Sequence, residues 1–187
     1  MRAIVFLFLS LAGAVSAAET RLVFDAAQSS VDFTLADVLH TVHGNFKLKQ
    51  GELRFDPATS MVTGEITVDA TSGQSGSNAR DSRMHKNILE SMRFPDVLFL
   101  PARFTGEFHP QEDSQLTVHG TFRLHGTDHE IDMPVKVHPE QGGYMFDAQF
   151  PVPYVAWGLK NPSTFLLKVG DTVTITLHAA ARTISVP

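Results

Sequence analysis

The sequence contains no cysteine among its 187 residues. Disulfide bonds, thiolate metal sites and cysteine nucleophiles are therefore excluded. Basic residues are scattered along the chain, and the formal net charge is −5. Because a nucleic-acid-binding protein needs a positive face, the sequence argues against nucleic acid as a partner. The chain also lacks a Gly-x-Ser-x-Gly elbow, so an α/β-hydrolase with a serine nucleophile is not expected.

Long hydrophobic runs are absent except near the N-terminus. There Arg2 precedes an apolar run at residues 4–14, and small residues follow at 15–18. The run is too short to span a bilayer, and the order of the three regions is typical of a secretory signal peptide. We therefore predict a cleaved signal peptide at residues 1–18 and one domain at residues 19–187, located in the periplasm or secreted. After cleavage the chain is not expected to span a membrane, and the sequence leaves a homodimer open.

Most of the remaining chain alternates between apolar and polar residues. This period of two is typical of strands with one buried face. The predicted strands cover residues 30–36, 44–55, 62–70, 97–107, 115–125, 131–137, 144–150 and 172–181. They are joined mostly by short turns with no alternating helices, which favours an antiparallel sandwich or barrel. A closed barrel is the preferred interpretation because closure removes exposed strand edges.

One segment breaks this pattern. Met84, Ile88 and Met92 are spaced four residues apart, which predicts an apolar stripe on a helix. Ser75 or Ser77 can cap the start of this helix, and Pro95 ends it. We predict a helical insertion at about residues 75–93, in the region of the fourth and fifth strands, that covers or gates the barrel.

The predicted inward faces are rich in aromatic and aliphatic side chains and carry no paired carboxylates. Such an interior lacks groups for acid or base catalysis, but it can solvate a hydrocarbon chain. About eight strands enclose a space just wide enough for packed side chains or one small ligand. The pattern alone favours a filled core over a cavity. The candidate tunnel residues are Phe33, Phe46, Leu53, Ile66, Val68, Phe122, Phe146, Phe150 and Trp157.

An ordered series of short fragments covers nearly all of the predicted mature chain. The fragments are Phe24-Asp25, residues 29–33, 42–46, 51–57, 78–81, Phe94-Pro95, and residues 116–120, 124–127 and 154–159. In this order they resemble the YceI-like family of exported bacterial proteins. The resemblance implies an all-β fold, namely an extended eight-stranded antiparallel lipocalin-like barrel with a long apolar tunnel. It also implies a carrier or binder of polyisoprenoids or other long amphiphiles, with no enzymatic reaction and no cofactor other than a bound lipid as cargo.

The insertion carries several basic residues that could hold the polar end of such a ligand. Arg80, Arg83, His85 and Lys86 place positive charge on the first turns of the predicted helix. Of these, Arg80 and His85 are the candidates for contacts with the ligand head group, and a phosphate would suit them. The simpler interpretation is that Arg80 pairs with a nearby carboxylate and anchors the helix.

Two other functions remain open on sequence grounds. Nine histidines in a chain without cysteine raise the hypothesis of a metal-dependent enzyme, with His125 and His129 at the barrel rim. Zinc would need three or four converging ligands, so solvated surface histidines are the preferred interpretation and no metal site is predicted. The other possibility is a stress-related or structural module whose barrel is filled and binds nothing.

Overall fold

Eight strands account for most of the chain. The computed structural model describes residues 19–36, 41–165 and 168–184, so the predicted signal peptide lies outside the described residues. The strands are β1 (Thr20–Ala36), β2 (Thr41–Asp56), β3 (Met61–Gln74), β4 (Asp96–Thr105), β5 (Ser114–Leu124), β6 (Thr127–Glu140), β7 (Gly143–Val152) and β8 (Val173–Ile184). Each strand pairs with the next in antiparallel fashion, and β8 returns to β1. The predicted eight-stranded antiparallel barrel is confirmed.

β1 is much longer than predicted because its polar middle section hides the alternation. The pairing of β1 with β8 shifts register between Asp25 and Ser30, so the chain bulges there and then resumes the same ladder. Asp25 organises the bulge, since its carboxylate accepts hydrogen bonds from Ala27 N at 3.0 Å and from Arg182 Nη2 at 3.1 Å. The strand therefore begins at Thr20, ten residues before its regular pattern.

One glycine and one proline lie beside irregular positions of the ladders. A Cβ at Gly51 in β2 would lie 3.0 Å from Phe24 Cδ2, so glycine lets the phenyl ring of β1 pack closely against β2. The pairing of β4 with β5 shifts register between Pro101 and Arg103. A closed barrel offers no edge strand for a proline, and the register shift places Pro101 beside an irregular position of the ladder.

The connections between consecutive strands lie at the two ends of the barrel. Because the strands run up and down in order, the β1–β2, β3–β4, β5–β6 and β7–β8 connections lie together at one end, here called the mouth end. The β2–β3, β4–β5 and β6–β7 connections lie at the other end, called the far end. The two longest connections, residues 75–95 and 153–172, are therefore both at the mouth end.

The insertion consists of a short helix, α1 (Asn78–Arg83), followed by a π-helical turn, Met84–Ile88. It lies between β3 and β4, within the predicted residues. The helical stretch ends at Ile88, and Glu90 takes a left-handed backbone conformation with φ of 46°. The predicted apolar stripe is therefore wrong beyond Ile88, because the chain changes direction and Met92 is left 92% exposed.

Candidate functional site

The barrel encloses a cavity of about 650 Å³. All eight strands contribute lining side chains, and the lining extends from Arg83 at the mouth end to Phe108 in the β4–β5 connection at the far end. The preference for a filled core, which the alternation pattern alone suggested, is therefore wrong. The cavity has a volume within the range of about 300–1,000 Å³ that is usual for small-molecule sites.

The cavity wall is apolar along the strands and polar only near the mouth and at one phenol. Ring pairs line the strands, such as Phe24 with Phe146 and Phe33 with Phe46, each with centroids 5.5 Å apart. Burial raises the pKa of Tyr144, whose ring also lines the wall. Among the described lining residues there is no Asp, Glu, Lys or His. Such a wall has no side-chain pair for proton transfer, but it can surround a hydrocarbon.

Eight of the nine predicted tunnel residues line this cavity. They are Phe33, Phe46, Leu53, Ile66, Val68, Phe122, Phe146 and Phe150. Each lies on a strand, where the alternation of side chains determines which face turns inward. Their contact with a ligand stays a prediction.

Trp157, the ninth predicted residue, has a different position. Its indole stacks on the His129 ring, with centroids 4.1 Å apart and planes at 4°, and its centroid lies 5.7 Å from that of Phe122. β6 pairs with β7 only from Val135 onward, so the first part of β6 has no partner strand on that side. Trp157 packs against this part of the wall and is not among the described lining residues of the cavity.

Two arginines of α1 line the cavity at its mouth. Arg80 donates from Nε to Ser75 Oγ at 2.7 Å and from Nη2 to Ser75 O at 2.5 Å. It makes no ion pair with a described carboxylate, and the neighbouring Asp81 accepts from the Ser75 N–H at 2.9 Å. Arg83 is exposed and has neither a hydrogen bond nor an ion pair within the described chain, so its guanidinium is free to meet an anionic group.

His85 holds the insertion in place and is not among the described cavity residues. Its Nε2 lies 2.9 Å from Gly73 O and its Nδ1 lies 3.0 Å from Ser91 Oγ. A carbonyl oxygen only accepts, so Nε2 donates to Gly73 O, and in the neutral ring Nδ1 then accepts from the Ser91 hydroxyl. With both ring nitrogens used in this way, His85 helps to position the insertion, and its contact with a ligand head group stays a prediction.

Some lining residues were missed by the sequence-based list. Met84 and Ile88 face the cavity from the insertion, and Ala79 and Leu89 lie beside them. The spacing of Met84 and Ile88 was a usable signal, because it predicted one apolar helical face. Nothing in the sequence indicates whether such a face packs on the barrel wall or over its opening.

The rim histidines engage separate partners. His125 Nε2 lies 3.6 Å from Glu90 Oε1, and its ring centroid lies 4.2 Å from that of Phe94. His129 instead stacks on Trp157. Within residues 19–36, 41–165 and 168–184, no group of three or more His, Cys, Asp or Glu side chains is arranged to hold a metal ion. In the same ranges, no helix is long and apolar enough to cross a membrane.

Several solved structures share this fold. Burkholderia cenocepacia BcnA superposes with a TM-score of 0.70 at 20% identity, over 84% of this chain and 98% of that chain. A polyisoprenoid binding domain from Saccharophagus degradans, implicated in plant cell wall breakdown, gives 0.66 at 15% identity, over 87% and 98%. A Campylobacter jejuni YCEI protein gives 0.61 at 16% identity, over 77% and 86%. At these identities the likeness shows a common fold.

Membership of a family is shown by the sequence itself. A comparison with curated proteins finds no significant match. A family model described as YceI-like domain matches residues 22–181, which include most of every barrel strand. This match spans far more than half of the chain, and the eight-stranded barrel agrees with it. The chain therefore belongs to the YceI-like family.

Proposed function

We propose that this protein is an exported, non-catalytic carrier that holds a long-chain isoprenoid or a similar amphiphilic lipid inside its barrel. The observation that carries the proposal is the cavity of about 650 Å³, apolar along the strands and cationic at its mouth. The apolar chain of the ligand would lie among the strand side chains, and its polar end would lie at α1. The signal-peptide pattern at residues 1–18 supports export to the periplasm or outside the cell.

Binding of this kind is driven by removing hydrocarbon from water. Each buried methylene contributes about 0.8 kcal/mol, so a long chain can bind tightly with few polar contacts. The rings and aliphatic side chains of the wall replace water around the chain without forming directional bonds. This favours a ligand class defined by length and apolarity more than by one chemical structure.

The choice of an isoprenoid draws on the related folds. The Saccharophagus degradans domain, which shares the barrel, is a polyisoprenoid binding domain. In our chain the cavity extends from the mouth end to the far end, which suits an elongated ligand. We assign the head-group contacts to Arg80 and Arg83, with His85 acting indirectly through the position of the insertion.

A substitution inside the cavity tests this proposal. Phe122 lines the wall, and its ring lies 6.0 Å from that of Phe150. In Phe122→Asp, a carboxylate faces an apolar space where it has no partner, which costs several kcal/mol or draws water into the site. We expect the variant to lose uptake of a fluorescent long-chain probe by at least about tenfold, which corresponds to about 1.4 kcal/mol.

The matched control is Gln115→Asp, which adds the same charge to an exposed position of the same strand. It should keep full uptake. A second cavity variant, Ala148→Phe, adds volume without charge and should also reduce uptake, since Ala148 lines the wall. A folded Phe122→Asp protein, verified by circular dichroism, that takes up the probe as well as the unsubstituted protein would refute the assigned binding site.

A further inference from the structure

The mouth end carries the two most exposed large apolar side chains of the described chain. Phe165 in the β7–β8 connection is 96% exposed, and Met92 in the insertion is 92% exposed. The other two such side chains, Met61 and Ile184, are about half exposed and lie at the far end. Both mouth-end segments also supply cavity-lining residues, for example Arg83 and Pro162, so they border the same opening.

The two longest connections at this end are rich in positive charge. The connections at residues 75–95 and 153–172 hold six lysines and arginines against three acidic residues. All six cations are exposed, and they are Arg80, Arg83, Lys86, Arg93, Lys160 and Lys168. Two of the three acids are turned partly inward, since Asp81 accepts from Ser75 and Glu90 lies near His125 and Arg93.

The far end has the opposite character. Its connections at residues 57–60, 106–113 and 141–142 contain no lysine or arginine. Acidic residues lie in these connections or directly beside them, and they are Asp56, Glu107, Glu112, Asp113 and Glu140. In a protein with a net charge of −5, the two longest mouth-end connections thus hold an excess of cations, whereas the far-end connections hold none.

We propose that the mouth end docks on an anionic lipid bilayer, with its cations against the head groups and with Phe165 and Met92 in the interfacial layer. Exposed aromatic and aliphatic side chains together with basic residues are the combination that binds such an interface. The acidic far end is repelled by the same surface, so the charge distribution orients the barrel with its opening toward the lipid.

The docking proposal rests on the proposed function only for the reason why docking would be useful to the protein. With the opening against the bilayer, an apolar chain can pass between lipid and cavity without crossing water. Arg80 and Arg83 then lie where the head group of the ligand leaves the bilayer surface. Docking itself depends on the exposed surface of the mouth end and can be measured without any ligand.

Vesicle flotation tests the docking. The protein is expressed from its complete coding sequence, purified, and its N-terminus identified by intact mass. It is mixed with vesicles of phosphatidylcholine alone or of phosphatidylcholine with phosphatidylglycerol. We expect it to float with the anionic vesicles and not with the neutral ones, and we expect the bound fraction to fall as salt is raised.

Three lysines outside the cavity lining provide the sharpest variant. The triple variant Lys86→Ser, Lys160→Ser, Lys168→Ser removes mouth cations and leaves both lining arginines in place. We expect affinity for anionic vesicles to fall about fivefold for each lysine and about a hundredfold for the three together. Phe165→Ser should also weaken binding, including at salt concentrations that screen the charges.

The control removes the same charge elsewhere. Arg54, Arg103 and Lys136 are exposed on the strands, away from the mouth-end connections, and their serine variants together should bind vesicles as the unsubstituted protein does. Failure to bind anionic vesicles would overturn the docking proposal, and so would equal losses in the two triple variants. An acidic protein partner at the mouth end would leave vesicles unbound and count against it in the same way.

Probe uptake in vesicle-free solution separates docking from the proposed function. The mouth triple variant should take up the probe normally, because its substituted residues do not line the cavity. Normal uptake with no flotation of the unsubstituted protein would refute docking and leave the carrier proposal intact. Flotation without uptake would refute the carrier proposal and support docking.

Discussion

Tyr154 stabilises the long β7–β8 connection through a single hydroxyl. The Tyr154 O–H donates to Gly170 O at 2.6 Å, and the Gly170 N–H donates to Ala36 O at 2.9 Å. Burial raises the pKa of Tyr154, and the nearby charge of Asp171 raises it further. These two hydrogen bonds join the two halves of the connection to each other and to the end of β1.

Removing this hydroxyl should lower the stability of the folded protein by a measurable amount. We expect Tyr154→Phe to lower the free energy of unfolding by about 1 kcal/mol, the usual value of such a hydrogen bond, in urea denaturation. Tyr144→Phe is the control, because Tyr144 is partly buried but has no hydrogen-bond partner in the described chain, and it should change stability little. Equal effects of the two substitutions would contradict the role given to the Tyr154 hydroxyl.

Single residues were predictable where a strand determined their direction. Phe122 and Phe150 were placed correctly because neighbouring residues on a strand point to opposite faces. Trp157 and His85 differ from their predicted positions because irregular backbone has no period from which a direction can be read. Stacking on His129 and bonding to Gly73 are contacts between distant parts of the sequence, which composition does not reveal.

At the scale of elements, the insertion is held by a few contacts close to the opening. His85 links it to β3 through Gly73 and to its own end through Ser91. A Cβ at Gly73 would lie 2.7 Å from Met84 Cε, so the π-helical turn packs directly on the backbone of β3. These contacts keep Met84 and Ile88 at the cavity.

His85→Ala should loosen this element without unfolding the barrel. Two hydrogen bonds are lost, so local opening becomes easier by about 1–2 kcal/mol and amide hydrogen exchange in the insertion should be about tenfold faster. Lys86→Ala, at the exposed neighbouring position, is the control and should leave exchange unchanged. Faster exchange throughout the barrel, or none in the insertion, would contradict this role of His85.

The insertion was predictable in position but only partly in form. The spacing of Met84 and Ile88 indicated a helical face, and Ser77 is the residue that precedes α1, although its hydroxyl makes no capping hydrogen bond. The π-helical turn and the left-handed Glu90 were not predictable, since both depend on how the segment fits the barrel. Glu90 directs the chain toward Phe94, which packs on His125.

At the scale of the whole molecule, closure of the barrel depends on the seam between β1 and β8. Asp25 lies at this seam, and its side chain is 17% exposed where it meets Arg182. The Ala27 N–H, followed by the Arg182 hydrogen bond, holds the pKa of Asp25 below its usual range. Similar contacts lower the pKa of Glu52, through Arg21, and of Asp128, through Arg123.

These lowered carboxyl pKa values predict that the folded protein loses stability in acid. A carboxyl group whose pKa is lower in the folded state contributes stability above its unfolded pKa of about 4, and this contribution is lost as pH falls through the folded value. The thermal unfolding midpoint should therefore fall as pH drops below about 4. In Asp25→Asn, the fall of the unfolding midpoint with pH should be smaller. Glu140→Gln removes an exposed carboxyl with no ion pair in the described chain, and it should leave this fall unchanged. A midpoint independent of pH in this range would contradict the account.

The closed barrel was predictable from alternation, turns and the family resemblance, but the cavity was not predictable from the pattern alone. Whether a barrel is filled depends on the balance between its diameter and the volume of its inward side chains. Ala148 lies between Phe146 and Phe150 on the inward face of β7, and such small residues leave space that alternation cannot measure. The charge difference between the two ends likewise becomes visible only when the connections are sorted by end.

Native mass spectrometry of the protein purified from its own host tests the central claim most directly. If the cavity carries a long amphiphile, the gently ionised protein should show a mass excess that corresponds to one bound molecule. Solvent extraction should release that molecule and identify it as an isoprenoid or similar lipid. Repeated preparations of folded protein with no bound amphiphile, and no uptake of one when it is supplied, would contradict the claim.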